Sequence, residues 1–346
     1  MSSLDRCLAA AKQAGMPADQ IAAFLRAGYV PQPKQMQFHA LARQADNPGA
    51  ADRIALGGAR GPGKSHAIMA QIAIDDCQRF PGLDVLFLRK VGKAARKSLD
   101  ALRAKIFLRL PHDYNRNEGI IRFANGSSIV VGNFLNADDI EKYQGNEFDI
   151  IAIEEHTQIP HSRVEMLEGS LRTSKPNWRP RLYSSANPGG VGHQEFKKLY
   201  VLPQRSGHEN GRYRFIPATY RDNAFLDEGY IQYLQGLTGL LGRMWRDGDW
   251  DVGAGMFFTN WNHDLHAIDP IRVQPHWPIW GSFDYGFSHP TAVYWWSHDG
   301  DGNYYTIAEH HQPRWLVPQH AQAMKEIAEQ LQRPLPVFLA GHDAFA

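Results

Sequence analysis

Cysteine is almost absent from this chain: Cys7 and Cys77 are the only two in 346 residues. They sit at no metal-ligand spacing and cannot build a disulfide framework, so the composition fits a reducing, cytoplasmic setting. Long apolar runs are missing too. No stretch reaches the roughly 18 residues that a spanning helix needs, and the N-terminus has no signal-peptide core, so no membrane partner is expected. A bias of charge is the third absence. The formal net charge is +1, which removes overall basicity as a sign of a nucleic-acid partner. The length suits two domains, or one large domain with part of another.

What is present is concentrated in Gly58-Ala59-Arg60-Gly61-Pro62-Gly63-Lys64-Ser65. An apolar run, Ile54-Ala55-Leu56, precedes it and the buried-helix sequence Ala67–Ile74 follows. Strand, glycine-rich turn and helix with G-x-x-x-x-G-K-S spacing is the pattern of a phosphate-binding loop. Gly58, Gly61 and Gly63 let backbone N–H groups close around a polyphosphate, and the helix N-terminus adds partial positive charge. Lys64 is expected to reach the β- and γ-phosphates, and the Ser65 hydroxyl to hold Mg²⁺. A glycine-rich turn with a chance Lys-Ser is the plainer reading, and the flanking strand and helix argue against it.

A second run, Phe148–Ile153, leads into Glu154-Glu155. One carboxylate at a strand end can help hold the metal while its neighbour polarises the attacking water. Glu154 is assigned to the metal and Glu155 to the catalytic base. The strand Asp84–Arg89 lies between the two motifs, as in the α/β P-loop ATPases with an additional strand and a catalytic glutamate, the ASCE branch that includes helicases and translocases. A third strand, Arg181–Ala186, carries Ser184-Ser185 and ends in Asn187-Pro188-Gly189-Gly190. Polar groups at such a strand end can sense a γ-phosphate, although taken alone they read as an ordinary polar turn.

Other signals are weaker. Residues 4–28 read as two helices, with Pro17 opening the second and Gly28 closing it. Gln35 lies within Tyr29–Phe38, a proline-stiffened approach to a helix ahead of the phosphate loop; its amide suits both edges of an adenine, or simply an exposed polar helix face. From Arg89 to Arg109 the chain carries Lys90, Lys93, Arg96, Lys97, Arg103 and Lys105 against one acid, Asp100. That run fits a phosphate-facing surface for DNA or a solvated helix face. Residues 120–131 form a hairpin around Asn125-Gly126, and 196–250 read as largely helical. Beyond the junction at 251–275, a strand Ile279–Gly286 opens a β-meander, followed by a helix near 318–331, the short run Val337–Ala340, and Asp343. Asp284 and Asp343 can converge on divalent metals, although two acids alone are ordinarily structural.

Together these residues resemble the large terminase subunit of tailed bacteriophages, the motor that packages DNA into proheads. The resemblance covers nearly the whole chain from residue 29. It rests on Pro33-Lys34-Gln35, the phosphate loop with Arg60, Tyr143-Gln144-Gly145, Ile153-Glu154-Glu155, Ser185–Gly190, Gly248-Asp249-Trp250, and Phe283-Asp284-Tyr285-Gly286 followed by His289–Ala292. It implies an N-terminal helical segment (1–28), an ATPase domain (29–252) with a parallel-rich sheet flanked by helices, a linker (253–275), and the first part of an RNase H-like nuclease domain (276–346). Gln35 would belong to the adenine motif, Ser185 and Asn187 to the coupling motif, and Asp284 and Asp343 to the nuclease metal pair. Arg60 is the candidate for completing the ATP site. The implied cofactors are ATP and Mg²⁺, with Mg²⁺ or Mn²⁺ for the nuclease. The implied partners are double-stranded DNA, a portal protein, a small terminase subunit and further copies in a ring, all in the host cytoplasm.

Two departures from the family pattern stand out. Glu154 occupies a position where the family usually has Asp, and one extra methylene still reaches Mg²⁺. The nuclease also needs a further C-terminal acid, and the chain stops at Ala346, so a fragment or a split or truncated product is expected. A helicase or remodelling ATPase would share the ATP site without accounting for residues 283–292. A non-hydrolysing nucleotide-binding assembly module would not need Glu155 beside Glu154, and a standalone metal nuclease would have an incomplete metal site.

Overall fold

The computed structural model describes residues 3–341 apart from 90–91, 135–136, 209–210 and 253–265. They divide into two compact units, residues 1–262 and 263–346.

The first unit is built on an eight-stranded sheet in the order β3-β4-β5-β2-β6-β7-β1-β8. Its strands are β1 (Arg53–Gly58), β2 (Asp84–Arg89), β3 (His112–Asn115), β4 (Ile120–Phe123), β5 (Ser128–Asn133), β6 (Ile150–Ile153), β7 (Arg181–Ala186) and β8 (Tyr213–Ala218). All pairings from β5 across to β8 are parallel; β3 and β4 add an antiparallel edge. β1, β6 and β7 are buried along their whole length, the expected result of helices on both faces of a parallel sheet. Alternation along each strand divides the core between those faces. Val85 and Phe87 join Ile54, Leu56, Ile150 and Tyr183 under the N-terminal helices, whereas Leu86 and Leu88 join Ile151, Ile153 and Leu182 under Val164 and Leu167.

Helices α1 (Ser3–Gln13), α2 (Ala18–Ala27) and α3 (Pro33–Gln44) precede β1, and α4 (Lys64–Ala70) follows the phosphate loop. Pro17 precedes α2 and Gly28, at φ 75°, closes it by donating to Phe24 and Leu25 carbonyls. α4 continues through a π-helical turn, Gln71–Asp76, which buries Gln71, Asp75 and Asp76. The Asn125-Gly126 hairpin forms between β4 and β5, with Gly126 at φ 86°.

Residues 196–250 are less helical than expected, because β8 lies among them. β8 pairs parallel to β1 and closes that side of the sheet. Its sequence hides it: Arg214 and Pro217 interrupt a six-residue run, and proline is tolerated there because β8 is an edge strand.

The second unit has a four-stranded sheet in the order β11-β10-β9-β12. The strands β9 (Ile279–Asp284), β10 (Thr291–His298) and β11 (Tyr304–Gln312) form an antiparallel meander. The chain returns through a helix, Val317–Gln330, to β12 (Phe338–Ala340), which lies parallel to β9. Meander, helix and short strand follow in the order read from the sequence.

Candidate nucleotide site

The C-terminal ends of the parallel strands build one cleft of about 350 Å³. β1 delivers the phosphate loop. Gly58, Gly61 and Gly63 all have positive φ (122°, 94° and 78°). Gly63 also has no room for a side chain, since a Cβ there would lie 2.6 Å from the Gln35 amide nitrogen. The loop is held from outside by its backbone: Ala59 N–H donates to the Ala218 carbonyl (3.0 Å) and Arg60 N–H to the Trp245 carbonyl (2.8 Å). The Arg60 guanidinium stacks over the Trp245 ring at 3.3 Å from its centroid. The Lys64 ammonium donates to the Ala59 carbonyl and the Asn187 side-chain oxygen, both at 2.6 Å. Burial pushes its pKa down to about 7, with Arg60 adding to the effect and Glu155 and Glu154 opposing it.

β6 delivers the carboxylates. Glu154 is 2% exposed, and burial raises its pKa against the opposing charge of Arg89, with the Ser65 hydroxyl a lesser stabiliser. Its Oε1 is buried without a hydrogen-bond partner. A buried carboxylate with one unsatisfied oxygen and a serine hydroxyl in its surroundings suits a hard, oxygen-loving divalent cation, so Ser65 and Glu154 fit Mg²⁺. Glu155 adopts the left-handed conformation (φ 54°, ψ 47°), a strained state for a residue with a side chain, usually over-determined by its surroundings. Here its N–H donates to the Ser185 hydroxyl (3.2 Å) and its carbonyl accepts from Gln158 N–H (2.8 Å).

β7 and its turn tie these parts together. His156 Nδ1 pairs with the Ser184 hydroxyl (2.8 Å), and the Thr157 hydroxyl donates to the Asn187 carbonyl (2.9 Å). Gly189 N–H donates to His193 Nδ1, whose other ring nitrogen lies 3.1 Å from the Trp250 carbonyl. One turn therefore holds Lys64 through Asn187 and, two residues on, meets His193 through Gly189, with His193 in turn beside the Trp250 carbonyl.

A sequence model of the phage terminase large subunit matches residues 51–246, more than half of the chain and the whole of this cleft. The chain belongs to that family. The PBSX phage terminase large subunit of Bacillus subtilis (strain 168) is 25% identical over 237 residues, which are 60% of this chain and 52% of that protein. The terminase chain thus spans about half the length of that curated relative. Among solved structures, it resembles the large terminase from a thermophilic bacteriophage in complex with ADP, at 18% identity and a TM-score of 0.53 over 91% of this chain and 78% of that one. The complex of the same protein with ATP-gamma-S gives 0.52. The HK97 bacteriophage large terminase gives 0.50 at 11% identity, over 89% of this chain and 69% of that one. At these identities the likeness is one of fold.

The terminase cleft brings together Arg60, Gly61, Gly63, Lys64 and Ser65 with Glu154, Glu155, Ser185 and Asn187. Gly58 shapes the loop from beneath, where a Cβ would meet the Ala218 carbonyl at 2.6 Å. Gln35 stands behind the loop. Its amide nitrogen donates to the Gly63 carbonyl (3.1 Å), while its oxygen accepts from Gln32 N–H (2.8 Å) and the Tyr29 hydroxyl (3.2 Å). One amide hydrogen is left over. Asp284 belongs to the second unit, exposed at the end of β9, and Asp343 lies outside the described residues.

The basic run from Arg89 to Arg109 is not one outward face. Arg89 turns into the cleft, and Arg103 sits over the Tyr114 ring, 3.2 Å from His112 Nε2. Lys90, and the side chains of Lys93, Arg96 and Lys97, lie outside the described residues. The sequence reading missed Arg89, Trp245, His66 and Tyr230 as residues of the site. Arg89 carried a usable signal, being the last residue of a buried strand, at the edge where open α/β sheets place ligands. Trp245 carried none, because only tertiary contact brings it to Arg60.

Proposed function

We propose that this terminase chain is the ATP-hydrolysing motor subunit of viral DNA packaging, acting on double-stranded DNA in the host cytoplasm. The observation that carries the reading is the meeting of Lys64 and Ser65 with Glu154 and a left-handed Glu155 at one sheet edge. Lys64 and the loop N–H groups bind the phosphates, and Arg60 stabilises charge that develops during phosphoryl transfer. Ser65 and Glu154 hold Mg²⁺, which neutralises phosphate charge when bound. Glu155, the more exposed of the pair with 44% of its side chain open, orients and deprotonates the attacking water. Asn187 shares Lys64 with the incoming nucleotide, so phosphate binding and loss are felt by the 184–193 turn and passed towards Trp250. Gln35 offers its spare amide hydrogen to adenine.

DNA contacts are to phosphates and strongly salt-dependent, since a packaging motor tracks any sequence. A portal protein, a small terminase subunit and a ring of copies complete the proposed assembly. Metal-dependent DNA cleavage, when the nuclease domain to which the second unit belongs is complete, is part of the same reading. Asp284, at the exposed end of β9, and Asp343 are the metal pair of this reading.

The test is ATP turnover by the purified chain with and without duplex DNA, beside Glu155→Gln. Loss of a general base lowers turnover about 10²–10⁴-fold, with ATP binding retained. DNA-stimulated turnover supports the motor; binding without any turnover, even with portal and small subunit added, would turn the reading to a non-hydrolysing assembly module.

A further inference from the structure

Arg89 has no role in the reading above, yet it is the cation that touches both cleft carboxylates. Its Nη1 lies 3.3 Å from Glu154 Oε2 and its Nη2 3.9 Å from Glu155 Oε1. The fold arranges this in two steps. β2 and β6 are neighbours, with Leu88 opposite Ile153, so the next residue of each strand places Arg89 beside Glu154. Successive strand residues point to opposite faces, which would send Glu155 away from Arg89. The left-handed turn at Glu155 ends the strand and brings its carboxylate back to the same fork.

The contacts are longer than the roughly 2.7–2.9 Å of a tight charge-assisted bond. They also leave Glu154 Oε1, the oxygen assigned to the metal, unengaged. An arginine keeps its charge under all relevant conditions, and a buried Glu154 needs a positive neighbour. The arrangement therefore offsets part of the pair's negative charge and leaves Glu154 Oε1 unengaged.

We propose that Arg89 is the internal counter-ion of the Glu154–Glu155 pair in the nucleotide-free protein: it keeps the pair from binding a divalent cation alone, and it releases Glu155 when the metal–nucleotide complex enters. Arg89 is thus a positioning residue. It makes metal and nucleotide arrive together and holds Glu155 off water until a γ-phosphate is in place. The inference rests on the ATP reading of the same cleft.

The direct test is Mn²⁺ binding to the nucleotide-free chain, followed by electron paramagnetic resonance, for wild type, Arg89→Gln and Arg89→Lys. ATPγS affinity is measured in parallel with Mg²⁺ and with EDTA. Removing the charge should tighten Mn²⁺ binding at least tenfold in Arg89→Gln. Arg89→Lys keeps the charge and loses the fork, so it should fall between the two, about threefold tighter than wild type. ATPγS binding in EDTA should weaken about tenfold in Arg89→Gln, and Mg²⁺ should restore most of that loss. Mn²⁺ affinities within twofold for all three proteins would overturn the proposal. If Arg89→Gln does not fold, Arg89→Lys decides alone, and a wild-type affinity there overturns it. Wild type that binds no ATPγS even with Mg²⁺ would bring down the ATP reading and this inference together. Wild type that binds ATPγS, with Mn²⁺ affinity unmoved in the variants, would bring down this inference only.

Discussion

Two strands of this terminase chain end in a carboxylate proposed to meet a metal, and they end very differently. Glu154, just after β6, is 2% exposed and engaged by Arg89, whereas Asp284, the last residue of β9, is exposed. The cause is sheet topology. In the first unit β1, β2, β6 and β7 all run the same way, so their C-terminal ends supply the phosphate loop, Arg89, the glutamate pair and the Ser185–Asn187 turn to one edge. In the second unit β10 is antiparallel to β9, and among the described residues only β12 ends beside it. A parallel sheet collects chemistry from distant parts of the chain at one edge; a meander divides it between two.

If the first edge is a tightly braced assembly, crowding its braces should cost far more than crowding a turn of the second unit. Gly190 and Gly300 have nearly the same backbone φ, 92° and 90°. A Cβ on Gly190 would fall 2.3 Å from the Thr157 carbonyl oxygen and 2.7 Å from the Gln158 amide, while nothing lies within 4 Å of one on Gly300. Gly300→Ala should cost only the left-handed strain, about 1–2 kcal/mol. Gly190→Ala adds overpacking of about 1–3 kcal/mol, and because it displaces the turn that positions Asn187, ATP turnover should drop more than tenfold. Urea unfolding of both variants, with turnover measured alongside, checks the pair. Equal losses would break the comparison.

A smaller effect is expected where one side chain, rather than backbone, braces the edge. Trp245→Ala removes the ring beneath the Arg60 guanidinium, an interaction worth about 0.5–2 kcal/mol. If Arg60 acts in the transition state, kcat/KM should fall about 2–30-fold by the usual free-energy conversion. Trp245→Phe, which keeps a smaller ring, should recover part of it. A change in melting temperature with kcat/KM untouched would confine Trp245 to packing.

How much of this edge the sequence revealed follows from how local each part is. The phosphate loop and the Glu154-Glu155 pair are each one strand plus its exit, and local pattern exposes them; the 184–190 turn has the same build but reads as an ordinary polar turn without the family resemblance. β8 was lost because Arg214 and Pro217 break its apolar run. The left-handed backbone of Glu155 left no trace, since the usual sign of that conformation is glycine or asparagine. Gln35 was read in the approach to a helix but lies buried in α3; its partners are backbone groups of Gln32 and Gly63 and the Tyr29 hydroxyl, and none of those pairings has a sequence signature. Arg89 looked like the start of a basic surface because composition counts charges without saying which way they face.

The smallest predicted effect tests the other side of the comparison. Exposed at the end of β9, Asp284 keeps access to water, which screens its interactions with neighbouring charges. Asp284→Asn should therefore change unfolding free energy by no more than about 0.5 kcal/mol in EDTA, the usual range for a surface substitution. Asn keeps the shape and removes the charge, so the measurement isolates electrostatics. A gain above about 1 kcal/mol would mean that a second carboxylate presses on Asp284 strongly enough to escape screening. Asp343, its partner in the proposed metal pair, is the natural source. That outcome would erase the contrast between the two units, since both would then hold a carboxylate pair under repulsion, one relieved by Arg89 and the other awaiting a metal.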